Sequence, residues 1–253
     1  MKQIVKQVVV LLAGVMSGLA FAGAADVPTD VYLLIGQSNM AGRGVLTPEL
    51  SVSTERVLKL TKEDVWAPAT EPIHFDKSIA GAGLAASFAR QMADADAKAV
   101  VGLVPCAVGG TPLAQWMPGE KFYKIAVART KKALAGGGRL KGVLWHQGEG
   151  DTQDPQLRAT YAARLETMLK TLRAELDAAD VPIVLGELKS FHPEWDAAYA
   201  EINAALKAVA EKLPRTALVP AGDLKHKGDF THYDTPSLRT FGRRYAAAME
   251  GLK

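Results

Sequence analysis

The chain has 253 residues, 48% of them hydrophobic and 23% charged, which is material for one large or two small domains with a buried core. Its formal net charge of +3 falls to +1 once residues 1–24, which hold Lys2, Lys6 and no acid, are set aside. A surface so nearly balanced leaves no electrostatic footprint for nucleic acid, and a single cysteine, Cys106, excludes an intrachain disulfide framework.

The first element is a targeting segment. Lys2 and Lys6 precede an apolar run from Val8 to Ala20, and Ala20-Phe21-Ala22 and Ala22-Gly23-Ala24 both fit an A-x-A cleavage site. That is the layout of a secretory signal peptide, so residues 1–24 are expected to be removed and residues 25–253 to form a single domain. The apolar run is short for a membrane span, which needs roughly 20 residues. The expected product is exported, periplasmic or secreted, with no stable membrane association after signal removal.

Five runs then read as strands: Val31–Ile35, Val100–Val104, Gly142–Trp145, Val181–Leu185 and, more weakly, Ala217–Val219. Their hydrophobicity is continuous rather than alternating, as in parallel strands buried on both faces. Helical patterns fill the intervals: Gly83–Ala95, Phe122–Ala135 ended by Gly136-Gly137-Gly138, Asp154–Asp177 opened by Pro155, Pro193–Leu213 ended by Pro214, and Ser237–Met249. Gly44 to Ala80 has weak periodicity and several prolines, and reads as an insertion or long loop. The alternation predicts a three-layer α/β/α sandwich on a mainly parallel sheet.

Functional groups in such folds gather beyond the carboxyl ends of the strands. There the chain places Gly36-Gln37-Ser38-Asn39-Met40, Gly109-Gly110-Thr111, His146-Gln147-Gly148-Glu149-Gly150-Asp151 and, near its end, Asp229-Phe230-Thr231-His232. Ser38 by itself also suits a helix cap, and Met40 breaks the G-x-S-x-G elbow of α/β-hydrolases. A three-residue spacing lets the Asp229 carboxylate reach the imidazole of His232 and fix its tautomer. Taken by itself, that pair is also a common surface-loop feature. Glu149 and Asp151 offer the paired carboxylates of a glycoside hydrolase. Cys106 sits among apolar neighbours, as an inert core thiol does. His74, His192 and His226 lack partners at metal-ligand spacing, so no metal is expected.

Ile35 through Gly42, Gly109-Gly110-Thr111 with Trp116, Trp145 through Glu149, and Asp229-x-x-His232 resemble, in order, the signature blocks of sialate O-acetylesterase-like SGNH hydrolases. That group includes the acetylxylan esterases of carbohydrate esterase family 6, and the resemblance runs from about Val31 to Tyr245. It implies a flavodoxin-like fold and a serine esterase that removes acetyl groups from carbohydrates without a cofactor. By position, Ser38 would be the nucleophile, His232 the base and Asp229 its orienting acid. The oxyanion hole would use the N–H of Ser38, an N–H from Gly109 or Gly110, and the side-chain amide of Gln147. Gln37, Asn39 and Glu149 would support the loops. Trp116 would stack on a sugar or belong to the core, and His146 would be a pocket wall or a group behind the site. His146 and Gly150 stand where the family usually has an aromatic and Ser, which bears on substrate preference. Two other functions stay open at this point: a broader-specificity SGNH esterase or lipase, and a non-catalytic carbohydrate-binding protein. The substrate glycan and the oligomeric state are not legible.

Overall fold

In the computed structural model, which describes residues 27–48 and 56–252, the run Val31–Ile35 becomes β1 (Asp30–Gly36). The expected signal peptide lies outside the described residues. Side chains of β1 alternate between two cores: Val31, Leu33 and Ile35 enter one and Tyr32 and Leu34 the other, all at most 1% exposed. A strand covered on both faces needs the continuous apolar run that the sequence carries.

The other strands are β2 (Val57–Leu60), β3 (Trp66–Pro68), β4 (Val101–Pro105), β5 (Arg139–His146), β6 (Ile183–Gly186) and β7 (Thr216–Val219). The sheet order is β3-β2-β4-β1-β5-β6-β7, and only β3 is antiparallel to its neighbour. The expected sandwich is therefore present, with one correction. Two short strands pair within the stretch read as insertion or loop, Leu58 opposite Pro68 and Leu60 opposite Trp66. Runs of three and four residues at a sheet edge are held by main-chain pairing, and they are too short to show a period.

The helices are α1 (Ser38–Ala41), α2 (Ala85–Ala95), α3 (Lys121–Leu134), α4 (Pro155–Glu175), α5 (Asp196–Lys212) and α6 (Thr235–Gly251). Residues of α3, α4 and α5 build one core with Trp116 and Trp145, while α2 and α6 build the other around Phe88, Phe241 and Tyr245. Local chemistry fixes their starts. Asp154 Oδ1 accepts the Gln156 N–H at 2.8 Å with Pro155 in the first turn, and Asp234 Oδ1 accepts the Ser237 N–H at 2.8 Å with Pro236 beside it. Cys106 is buried, and desolvation pushes its thiol up to about 12, which leaves it unreactive. No helix of the described residues is long and apolar enough to cross a membrane.

The chain leaves β1 toward β4 and returns on the other side to β5. The carboxyl end of β1 is thus the point where the winding reverses, the usual place for a site in an open α/β sheet. A cavity of about 920 Å³ opens at the opposite, amino-terminal end, between Asp30, Arg139, Lys141 and Arg215. Its lining holds no serine, cysteine or histidine, so chemistry rather than size points to the site.

Candidate active site

Ser38 begins α1 directly after β1 and is 7% exposed. Gln37, just before it, donates its backbone N–H to His146 O at 2.9 Å, so the turn is pinned to the end of β5. Its side-chain Oε1 accepts the Gly150 N–H at 3.2 Å and Gln147 Nε2 at 3.4 Å.

Asn39 joins this turn to the loop that carries the histidine. Its Nδ2 donates to Thr231 O at 3.3 Å and to Glu149 Oε1 at 2.9 Å, while its Oδ1 accepts the Tyr233 N–H at 3.2 Å. The two residues flanking His232 are therefore both fastened to the residue that follows Ser38. The loop itself is a narrow arch in which Lys227 N donates to His232 O and Asp234 N to Lys225 O, both at 2.9 Å. At its tip, Asp229 Oδ1 accepts the N–H groups of Thr231 at 3.1 Å and His232 at 2.8 Å, and Oδ2 meets His232 Nδ1 at 2.7 Å. Lys227 Nζ lies 3.6 Å from the same Oδ2. Burial pushes the Asp229 carboxyl up, but these N–H donors and the imidazole outweigh it and hold it at about 2. With Nδ1 directed at the carboxylate, Nε2 is the nitrogen left to accept a proton. No hydrogen bond joins Ser38 Oγ to His232 among the described residues, an opening that substrate binding commonly closes.

Of the expected oxyanion donors, the structure narrows one choice and changes another. The Gly109 N–H is already committed, donating to Asp76 Oδ2 at 2.9 Å. Gly110, at φ 81°, has no acceptor for its N–H among the described residues. Gln147 is wholly buried, and its Nε2 donates to Asp151 Oδ2 at 2.8 Å and Thr111 O at 3.1 Å while its Oε1 accepts Tyr161 Oη at 2.9 Å. It braces the loops and presents no free amide.

The remaining candidates divide by burial. Asp151 accepts the Leu113 N–H at 2.8 Å and Arg164 at 3.0 Å, which makes it a structural hub and not half of a carboxylate pair facing solvent. Burial pushes the Glu149 carboxyl up, against the hydrogen bond from Asn39. His146 is fully buried against Tyr233, Phe241 and the Tyr245 hydroxyl, not a pocket wall, and desolvation lowers it to about 3. Trp116 is 1% exposed and donates to Thr111 Oγ1 at 2.9 Å, so it belongs to the core.

Sequence reasoning missed an aromatic strip beside Asp229. Phe230 adopts φ 56°, unusual for a bulky residue, and its side chain is left 46% exposed. Its ring stacks on His226 at 4.4 Å and lies 5.0 Å from His192, which is 4.8 Å from Trp195. His192 and Trp195 lie about 35 residues before Phe230 in the sequence, so no local pattern announces the strip.

The chain is similar to known proteins over most of its described residues. The carbohydrate esterase, sialic acid-specific acetylesterase family matches the chain over residues 28–251. A probable carbohydrate esterase of Arabidopsis thaliana is 32% identical over 242 residues, covering 87% of this chain and 90% of its own. An X-ray structure of an Arabidopsis thaliana protein superposes with a TM-score of 0.82 at 30% identity, over 88% of this chain and 98% of that one. A carbohydrate acetylesterase from Xanthomonas citri shares the fold, with a TM-score of 0.65 at 19% identity over 88% of this chain and 56% of that one.

Proposed function

The chain belongs to the sialic acid-specific acetylesterase family of carbohydrate esterases and is a carboxylic ester hydrolase, and on that premise we propose that it removes O-acetyl groups from carbohydrates with Ser38, His232 and Asp229 as its triad. Nε2 of His232 takes the Ser38 proton as Oγ attacks the acetyl carbonyl. The charge that grows on the carbonyl oxygen is met by the N–H groups of Ser38 and Gly110, the free donors of their turns. Collapse of the tetrahedral intermediate expels the sugar alcohol, which leaves with the proton from His232. Water, deprotonated by the same nitrogen, then hydrolyses the acetyl-enzyme and releases acetate.

The observation that carries this reading is the Asn39 side chain. By binding the backbone of both residues that flank His232, at 3.2 and 3.3 Å, it ties the loop that bears the Asp229-paired imidazole to the nucleophile turn. A structural loop has no need of such a registration between residues 192 and 194 positions apart. The exposed ring of Phe230, next to Asp229 in the chain, suits the apolar face of a sugar ring. Acetate release from a panel of acetylated glycans, with Ser38→Ala as the blank, tests the whole reading. Ser38→Ala should stay folded and lose about 10⁴-fold or more in turnover. A folded variant that keeps a tenth of wild-type activity ends the assignment.

A further inference from the structure

The first loop after the nucleophile turn carries an ion pair that the mechanism above does not use. Arg43 Nη2 meets Asp76 Oδ2 at 2.6 Å and Nη1 meets Oδ1 at 3.3 Å, with both side chains at most 2% exposed. Nη1 also donates to Gly42 O at 2.7 Å. The same Asp76 Oδ2 accepts the Gly109 N–H at 2.9 Å. Three segments meet on one carboxylate: the nucleophile segment through Arg43, the loop after β3 through Asp76, and the turn after β4 through Gly109. The contact is close as well as polar. A Cβ added at Gly109 would fall 2.4 Å from Arg43 Nη2 and 3.3 Å from Ser38 Cβ, so the backbone of this turn lies against the nucleophile.

Resting on the triad reading, we propose that Asp76, charged and anchored by Arg43, is a positioning residue of the oxyanion hole: it takes the Gly109 N–H and so fixes the turn with Gly110 N–H as its free donor. An unanchored glycine turn would let either amide rotate toward a solvent or backbone acceptor, and preorganisation would be lost. The pairing with Arg43 matters because a bare carboxylate here would oppose the negative charge that develops in the transition state. Burial pushes the Asp76 carboxyl up, yet the hydrogen bonds from Arg43 and Gly109 win and hold it below the usual carboxylate range.

The test compares Asp76→Ala with Asp76→Asn, whose carbonyl still accepts the Gly109 N–H. Kinetics on a small acetyl ester are read beside affinity for an alkyl boronic acid, which forms a tetrahedral anionic adduct on the serine. Asp76→Ala should lose about 10- to 100-fold in kcat with KM within about three-fold. Boronate affinity should fall by the same factor, and Asp76→Asn should recover most of both. A merely structural role would lower the yield of folded enzyme without this parallel fall. Should Asp76→Ala fail to fold because Arg43 is left buried and unpaired, the double substitution Arg43→Met with Asp76→Leu removes both charges, often at little cost, and poses the same question. A folded Asp76→Ala variant, or the folded Arg43→Met with Asp76→Leu double variant, with kcat and boronate affinity within two-fold of wild type, overturns the proposal. Ser38→Ala separates the two readings. If it is inert and binds no boronate while Asp76→Ala behaves as wild type, only the positioning role fails; if it stays active, the triad itself fails.

Discussion

Replacing Asp229 by Asn tests the acid of the triad, because two carboxylates lie within three residues of His232 and only Asp229 is hydrogen-bonded to the ring. Asp229 Oδ1 serves two backbone N–H groups and Oδ2 meets Nδ1 at 2.7 Å. An asparagine that keeps its oxygen on the backbone side turns an NH₂ toward Nδ1. The ring is then driven to the tautomer protonated at Nε2, which cannot accept the serine proton. The charge-assisted bond at stake is worth about 1.5–3 kcal/mol when shielded. Here Asp229 is 36% exposed on its side chain and shared with Lys227, so solvent screening takes the lower part of that range. The expected loss is about 10- to 40-fold in kcat, with KM nearly unchanged because the ester has no need to touch Asp229. His232→Ala should lose more, about 10³-fold or beyond. Asp234→Asn should be silent, since Asp234 caps α6 through the Ser237 N–H and asparagine caps as well. Initial rates on a small acetyl ester at neutral pH decide the order. A crippled Asp234→Asn beside a healthy Asp229→Asn, or an active His232→Ala, refutes the reasoning.

Acid should weaken the fold in the histidine range, above the pH at which an ordinary carboxylate protonates. Desolvation lowers His74 and His146 to about 3, so between pH about 6.5 and 3 the unfolded chain binds protons that the fold refuses, and stability falls with pH by up to about 1.4 kcal/mol per unit for each. By pH 5 that is about 4 kcal/mol for the pair, partly offset by Glu149, whose raised carboxyl acts with the opposite sign; equal urea midpoints at pH 7 and 5 would contradict it. Asp229 contributes only lower, its stabilisation present above about 3.9 and lost as pH falls through about 2. Phe230→Ala should raise KM for a polymeric acetylated glycan about five-fold, the worth of about 1 kcal/mol of buried ring, and leave a small ester untouched; an unchanged polymer KM removes the aromatic strip from the substrate path. We expect export to leave a native chain that starts between Gly23 and Ala25, and an intact mass that includes Met1 speaks against signal removal.

What the sequence made legible follows from how local each feature is. The apolar run of β1 is visible because both of its faces are buried, so no polar residue interrupts it. Asp229 and His232 are visible because a three-residue spacing closes one turn, and the structure closes it at 2.7 Å. The hairpin of β2 and β3 was hidden, since β2 owes its place to pairing with β4 and β3 to pairing with β2, and neither carries a period of its own. The oxyanion donors were half legible. Glycines at 109 and 110 announce a backbone that comes close, but which amide remains free depends on Asp76, 33 residues away in a stretch without pattern. Gln147 failed for a related reason. Its amide is aimed by Asp151 and Thr111, and nothing in Trp145-His146-Gln147 tells which way the chain turns after β5.

The polar layer beneath Ser38 carries a cost that the rest of the core avoids. Among the described residues, His146 Nε2 and Glu149 Oε2 are both buried without a hydrogen-bond partner, although the first lies 3.7 Å from Glu149 Oε1. An unsatisfied buried polar group costs about 1–3 kcal/mol, so an apolar pair would stabilise the fold. What the pair supplies is an acceptor at a fixed place. Glu149 Oε1 takes one hydrogen of Asn39 Nδ2 at 2.9 Å, and that fixes the amide plane in the orientation that offers Oδ1 to Tyr233 and the second hydrogen to Thr231. Were Asn39 free to flip, Nδ2 would face the Tyr233 N–H and the arch bearing His232 would lose its register with Ser38. The buried acid thus acts on chemistry it never touches, through the orientation of one amide. Local rules of satisfaction are broken where catalysis needs geometry, and the stability comes from the two apolar cores on either side of the sheet.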